Sequence, residues 1–286
     1  QQRKAQAKYE TLVTIPTGIY IYSLSFPSVE LVNFTAYIWQ RYSSESKIER
    51  NFRLVDVIEE KREKVFQEKN AGEETIGWKV TATVRQFYNY IQYPLDQRRV
   101  SIKLAPHDFQ SSVLLIPAID DYTKINEKYL GLPEQFTLSE YNIKDTFFSF
   151  QTKPKETNFG LEYNQEMLTE TNYQYNIILV RDIINAFIVY LVPIFVILFS
   201  LFAIFIKLSG MNLEKVPVTK SIGPYSALLF SLIILHNNLR NKYPAGGFLY
   251  IEYFFFLTYI TILLFIVHTL LLSRKKRFKR IGDKIT

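Results

Sequence analysis

FIVYLVPIFVILFSLFAIFI, residues Phe187 to Ile206, is an apolar run interrupted only by Pro193 and Ser200 and closed by Lys207. At the rise of an α-helix, a run of that length crosses a hydrocarbon core of ~30 Å. Leu249 to Leu272 is a second such stretch, with one acid, Glu252, near its start. Between them, Tyr225 to Leu235 is apolar but short. Extended from Ser221 through Asn237, Asn238 and Arg240, it reaches roughly 20 residues, enough to cross.

Charge decides between two spans and three. If the first runs from outside to inside, Lys207, Lys215 and Lys220 are cytoplasmic, the second span returns outward, and the third ends at Arg274, Lys275, Lys276, Arg277, Lys279 and Arg280. Both inner segments are then basic, as membrane topology favours, whereas two spans would leave one basic segment on each side. The expected spans are residues 186–207, 221–241 and 249–272, within a transmembrane domain of residues 182–273, with residues 274–286 as a basic cytoplasmic segment. The net charge of +7 therefore marks a membrane flank, and no nucleic-acid partner is expected.

The middle span is polar at intervals: Ser226, Ser231, His236, Asn237, Asn238 and Asn241. Polar groups at membrane depth face a bundle interior or a water-filled cavity. Spacing alone leaves two readings, a pore lining or a face packed by interhelical hydrogen bonds.

Upstream the sequence is polar, charged and rich in Tyr and Phe. Alternating stretches recur at Gly18–Leu24, Phe34–Trp39, Trp78–Phe87, Val100–Leu104, Phe147–Phe150 and Tyr173–Val180. Val100-Ser101-Ile102-Lys103-Leu104 has a period of two, with Val, Ile and Leu on one face. Phe26-Pro27-Ser28, Asn70-Ala71-Gly72, Tyr93-Pro94-Leu95-Asp96 and Lys153-Pro154 are turn signals. The charged run Ile58–Lys69 reads as a strand in an exposed hairpin. The expected fold is an all-β, immunoglobulin-like sandwich over residues 17–181, after an N-terminal linker of residues 1–16. With no cysteine, it rests on hydrophobic burial alone. Gln1 to Tyr9 is not a secretory signal, which an external domain needs, so the sequence is expected to be processed or part of a longer chain.

Nothing here supports an enzyme. His107, His236 and His268 are scattered and form neither a triad nor a metal-ligand set. Gly246-Gly247 lies in a Pro-Ala-Gly-Gly turn, not in a phosphate-binding loop. Asp120-Asp121 reads as a solvated loop, with a cation or ligand contact as the alternative. No cofactor is expected.

Tyr93-Pro94-Leu95-Asp96 followed by the strand Val100–Leu104 resembles the aromatic-Pro-x-Asp loop of pentameric ligand-gated ion channels, in the cysteine-free prokaryotic form of the Cys-loop receptor superfamily. Gly18-Ile19-Tyr20 and the strand ending at Trp39 resemble that family's first strands. Leu138 to Ile143, and Lys153-Pro154 through Asn158-Phe159, resemble its late strands. Tyr173 to Arg181 and Tyr190 to Leu201 with Pro193 resemble the last strand, pre-membrane arginine and first helix. Tyr243-Pro244 and Phe248–Phe254 with Glu252 resemble the linker and third helix. Two departures stand out. Gln40-Arg41-Tyr42-Ser43-Ser44 lacks the usual aromatic ligand-loop pattern, and the family's fourth, peripheral helix is either beyond this sequence or absent.

The resemblance implies a homopentamer in the cell membrane, with the large N-terminal domain outside and the second helix lining a pore for inorganic ions. Its agonist, a small molecule or protons, is not identified. Gly223, Ala227, Phe230, Ile234, Asn237 and Asn241 are the implied pore lining, with Phe230 and Ile234 as the gate. An error of one residue rotates the helix by about 100° and substitutes Ser226, Leu229 and Ile233. Pro224 is expected near the helix start, where its missing N–H is tolerated. Implied coupling residues are Tyr93 and Pro94 against the Lys242–Phe248 linker, including Pro244, and Asp96 paired with Arg181, with Glu30 as a second acid. Arg240 and Lys242 at the outer end lean toward anions, or else only anchor the helix at the interface. The runner-up reading is a non-conducting membrane sensor.

Overall fold

The computed structural model describes residues 13–107, 113–123, 129–154, 169–210, 218–243 and 246–282. They form two compact units: a β-unit ending at Tyr88 and resuming over Gln97–Val180, and a helical unit made of Asn89–Asp96 and the chain from Arg181 onward.

In chain order the described strands are β1 (Val13–Ser28), β2 (Leu31–Ser43), β3 (Phe52–Leu54), β4 (Val57–Asn70), β5 (Glu73–Arg85), β6 (Gln97–Pro106), β7 (Val113–Pro117), β8 (Tyr141–Pro154) and β9 (Thr169–Arg181). They make a five-stranded sheet in the order β4-β5-β2-β1-β7 and a four-stranded sheet in the order β3-β6-β9-β8. The core is built by alternation. Val32, Phe34, Ala36, Ile38, Gln40 and Tyr42 are the buried residues of β2, and on β6 Arg98, Val100, Ile102 and Leu104 alternate as buried residues, followed by Ala105. Period-two burial puts each alternating set on one face of its sheet. Gln40 sits among them because its amide is bonded on both sides, to the Thr17 and Tyr42 hydroxyls, while the Tyr173 hydroxyl reaches the Thr17 carbonyl at 2.9 Å.

Two features of β1 differ from the sequence expectation. β1 begins at Val13 rather than near Gly18, because a parallel pairing with β7 extends it from Val13 opposite Val113. It also runs through Pro27 to Ser28, and the turn falls on Val29-Glu30. Pro27 lies where the β1–β2 register shifts between Ser25 and Ser28, a bulge that needs no donor from it. Ile58–Lys69 is a strand as expected. It is exposed along almost its whole length and held by antiparallel pairing to β5 from Val57 opposite Val84 to Asn70 opposite Glu73. Ala71 and Gly72 close that hairpin with φ of 46° and 86°, the two positive values that suit a two-residue turn to strand twist.

The helical unit contains α1, α2 and α3. α1 comprises Ile183–Ala186, a π-helical stretch Phe187–Leu191 and Val192–Gly210. Asp182 starts it by accepting the Ile184 N–H at 3.0 Å, a side-chain N-cap. The widened turn precedes Pro193, which has no N–H to donate and would crowd the carbonyl four residues back in a regular helix. α2 is Val218–Lys242 and α3 is Glu252–Gly282. Pro224 therefore lies inside α2, not at its start. The third helix begins at Glu252 instead of Leu249, after a turn in which Glu252 N–H donates to the Leu249 carbonyl.

Among the described residues, three helices are long and apolar enough to cross a membrane, over Ile183–Leu208, Ile222–Lys242 and Glu252–Leu271, which makes this a multi-pass membrane protein. Large apolar side chains such as Phe199, Phe202, Leu257 and Leu264 are exposed, as lipid-facing positions should be. α2 and α3 share a seam repeating every seven residues: Tyr225, Leu232 and Leu239 on one, Phe255, Ile262 and Thr269 on the other, all buried. Tyr225 and Thr269 are hydrogen-bonded at 3.3 Å near one end, and the His236 ring stacks on Phe255 near the other. The helices therefore run antiparallel, packed on coiled-coil-like positions.

Gly18 gives a direct test of the β-unit. It lies opposite Trp39 across β1–β2, and a Cβ there would sit 2.1 Å from two indole carbons. Gly18→Ala should destabilise the β-unit by about 1–3 kcal/mol through overpacking. Circular dichroism melts in detergent would show it, and an unchanged midpoint would mean that the indole moves aside freely.

Candidate functional site

Asn89–Asp96 connects two strands of the β-unit yet packs with the helices. Asp96 and Arg181 explain much of this. Arg181 Nε donates to Asp96 Oδ1 at 2.7 Å and Nη2 to Oδ2 at 3.1 Å, and both side chains are 3% exposed. This bidentate fork matches guanidinium to carboxylate. Aromatic rings surround it. The guanidinium carbon lies 4.7 Å from the centre of the Tyr93 ring and 5.2 Å from that of Tyr243, while Nη1 is 3.4 Å from the Tyr243 hydroxyl. The Tyr93 and Tyr243 ring centres are 4.1 Å apart, with Tyr190 and Tyr90 at the margins. Burial, reinforced by the Tyr243 hydroxyl, pushes the Tyr93 phenol far above its ordinary range.

The loop also binds the start of α3 through its backbone. Tyr250 N–H donates to the Ile91 carbonyl at 2.8 Å and Ile251 N–H to the Tyr93 carbonyl at 3.2 Å. Helix N-termini leave such groups unpaired unless something external caps them. Tyr93 thus meets Tyr243, at the start of the Lys242–Phe248 linker, and Ile251, beyond its end. Pro94 is buried in the same loop, and Pro244 lies outside the described residues. Glu30 is exposed in the β1–β2 turn of the β-unit, where its carbonyl accepts the Gln86 N–H.

On α2, Gly223, Ala227, Phe230, Ile234, Asn237 and Asn241 are all exposed. At ~100° per residue they fall within about 40° of the direction opposite the Tyr225-Leu232-Leu239 seam. Leu229, from the alternative register, is half-buried nearer that seam, while Ser226 and Ile233 are exposed at its flanks. The Ser226 and Ser231 hydroxyls bond back to the Ile222 and Ala227 carbonyls. Asn237, Asn238 and Asn241 have no such outlet: among the described residues their side-chain amides make no hydrogen bond. Arg240 does not stand as an open outer charge, because it is bonded to Glu252 on α3. Lys242 Nζ lies 5.5 Å from the Tyr243 ring centre.

Two of the cavities formed by the described residues lie on the β-unit. One, of about 510 Å³, is lined by Tyr37, Trp39, Phe66, Tyr122, Asp121 and Glu134 among others. Asp121 is not the solvated residue expected from its loop. It accepts Trp39 Nε1 at 2.7 Å and pairs with Arg41. Burial raises the Tyr122 phenol well above its usual range, and its hydroxyl bridges the N–H and carbonyl of Ile19. The other cavity, of about 610 Å³, brings Arg85, Arg99, Lys103 and Lys153 together around the single acid Asp56. Neither grouping is visible in the sequence, since the contributing residues lie on separate strands.

No protein-family model matches this chain, and no curated protein does.

Asp96→Asn should destabilise the helical unit by ~3–5 kcal/mol, because it leaves a buried guanidinium unmatched. The double variant Asp96→Asn/Arg181→Gln should lose less than the two single losses combined. Denaturation of the three variants measures this, and strict additivity would mean that the pair contributes no coupling energy.

Proposed function

We propose that this chain is one subunit of a pentameric ligand-gated ion channel. In this reading an immunoglobulin-like β-sandwich outside the cell membrane senses the stimulus, and a central pore lined by α2 conducts inorganic ions. The observation that carries the proposal is the face of α2 opposite its seam with α3. It presents Asn237 and Asn241 with unbonded amides, and Phe230 64% and Ile234 47% exposed. Amides facing lipid at that depth are costly, whereas facing a shared aqueous axis they are hydrated. Five copies around one axis give every α2 the same surroundings, with rings of Asn wetting one end and rings of Phe230 and Ile234 forming an apolar constriction below them. Such a constriction gates by shedding water.

The junction built on Asp96 and Arg181 supports the same reading. The Asn89–Asp96 loop caps α3 and stacks on Tyr243, so a stimulus reaching this loop acts directly on the helix that carries Glu252 and, through the seam, on α2. The two cavities of the β-unit are the places where such a stimulus would bind.

Purified protein in detergent should have about five times the 33.7 kDa chain mass, and a planar bilayer containing it should pass current. A particle of monomer or dimer mass would overturn the assembly. Silence across voltage, pH steps and panels of small amines and carboxylates would leave a non-conducting sensor instead. Phe230→Ser widens and wets the constriction, so leak without agonist should rise. Leu229→Ser, on the half-buried flank, should chiefly loosen the helix packing and lower the melting temperature with little leak. If Leu229→Ser leaks and Phe230→Ser does not, the axial face is one residue out; if neither leaks, α2 does not hold the gate.

A further inference from the structure

Glu252 has no exposed surface, yet its carboxylate collects four donors. Oε2 accepts the Leu249 N–H at 2.7 Å and Arg240 Nη2 at 2.7 Å, while Oε1 meets His236 Nε2 at 2.8 Å and Arg240 Nε. The remaining guanidinium nitrogen of Arg240, Nη1, donates to the Gly247 carbonyl at 3.0 Å. Arg240 side-chain exposure is 33%, against 0% for Glu252. The cation thus lies at the rim of this cluster and the anion behind it.

An arginine keeps its charge in proteins, so what Arg240 contributes outside the cluster depends on its counter-charge. Alone, one such cation per subunit near a pore mouth forms a ring that favours anions. Paired in contact with a carboxylate, it leaves only a dipole, whose field falls off faster with distance than that of a single charge. We propose that Glu252 sets the ion preference of the pore by cancelling the charge of Arg240, although Glu252 is itself buried on α3. This rests on α2 being the pore helix. It assigns the outer end of α2 a lining in which the charge of Arg240 is matched, so that the Asn237 and Asn241 amides, with Lys242 in the last turn, meet the ion.

The test is the reversal potential in a KCl gradient. The parent and variant channels are recorded under whichever condition opens the parent, or without agonist in the Phe230→Ser background. Glu252→Gln strips the cancelling charge from each subunit, and the reversal potential should move toward the chloride equilibrium potential. Arg240→Gln leaves five carboxylates instead and should move it toward the potassium equilibrium potential. Arg240→Gln/Glu252→Gln removes both charges and should restore the parental value. A purely structural clamp would change assembly or open probability in these variants but leave the reversal potential where it was. Unchanged values in assembled single variants, confirmed by their pentameric mass, would overturn the proposal. If a single variant fails to assemble, the other single and the double decide, and a double variant that departs from the parental potential overturns it as well. If no channel conducts in any condition, the pore reading of α2 fails and this inference falls with it.

Discussion

A guanidinium without water is the constraint on which the helical unit depends. Arg181 ends the last strand of the β-unit, and its charge must be matched where it is buried. Asp96 does this with both oxygens, and Tyr93 and Tyr243 supply ring faces on which a planar cation packs well. Because Asp96 belongs to the Asn89–Asp96 loop, matching the charge also brings that loop among the helices. Its carbonyls are then available to cap the start of α3. One ion pair therefore accounts for the loop leaving the β-unit, for the stacking of Tyr93 on Tyr243 and for the position at which α3 can begin.

The seven-residue seam between α2 and α3 has a second consequence. A helix can bury one stripe against one neighbour, so packing Tyr225, Leu232 and Leu239 inward commits the opposite side of α2 to whatever surrounds the subunit. That side is not composed like the lipid-facing sides of α1 and α3, where Phe199, Phe202, Leu257 and Leu264 are exposed. It mixes Gly223 and Ala227 with Phe230 and Ile234, then ends in Asn. Small, then bulky apolar, then amide is a gradient along the helix that lipid does not require.

Much of this was legible in the sequence because the deciding signals are local. The three spans follow from length and apolar content, and Val100 to Leu104 from strict alternation. Asp96 and Arg181 were readable as partners only through the resemblance of their surroundings to a known family. Where the expectation failed, the reason was pairing at a distance. β3 and β7 are too short to announce themselves, and β1 gains its first residues from a parallel neighbour about a hundred positions away. Asp121 looked solvated because Trp39 and Arg41, which hold it, lie on β2. Glu252 was noticed only as an acid near the start of a span. The Arg240 and His236 contacts that give it a role come from the preceding helix, and a charge at a helix end looks the same in sequence whether it is bare or matched.

The start of α3 lies between two ion pairs, the buried Asp96–Arg181 and the Arg240–Glu252 pair with its cation at the rim. On one side, the Ile91 and Tyr93 carbonyls of the loop that carries Asp96 accept the N–H groups of Tyr250 and Ile251. On the other, Arg240 and His236 hold Glu252, and Arg240 also holds the Gly247 carbonyl. The stretch from Gly247 to Glu252 is thus clamped between the loop and the outer turn of α2 by hydrogen bonds, several of them charge-assisted and therefore stronger than neutral ones. Removing any one donor leaves a buried acceptor short, so the stretch resists local distortion and favours displacement as a block. A movement of the Asn89–Asp96 loop that keeps its bonds must carry the start of α3 with it. A start of α3 that keeps its own bonds must in turn carry Arg240, and with it the end of α2 on which Asn237 and Asn241 stand.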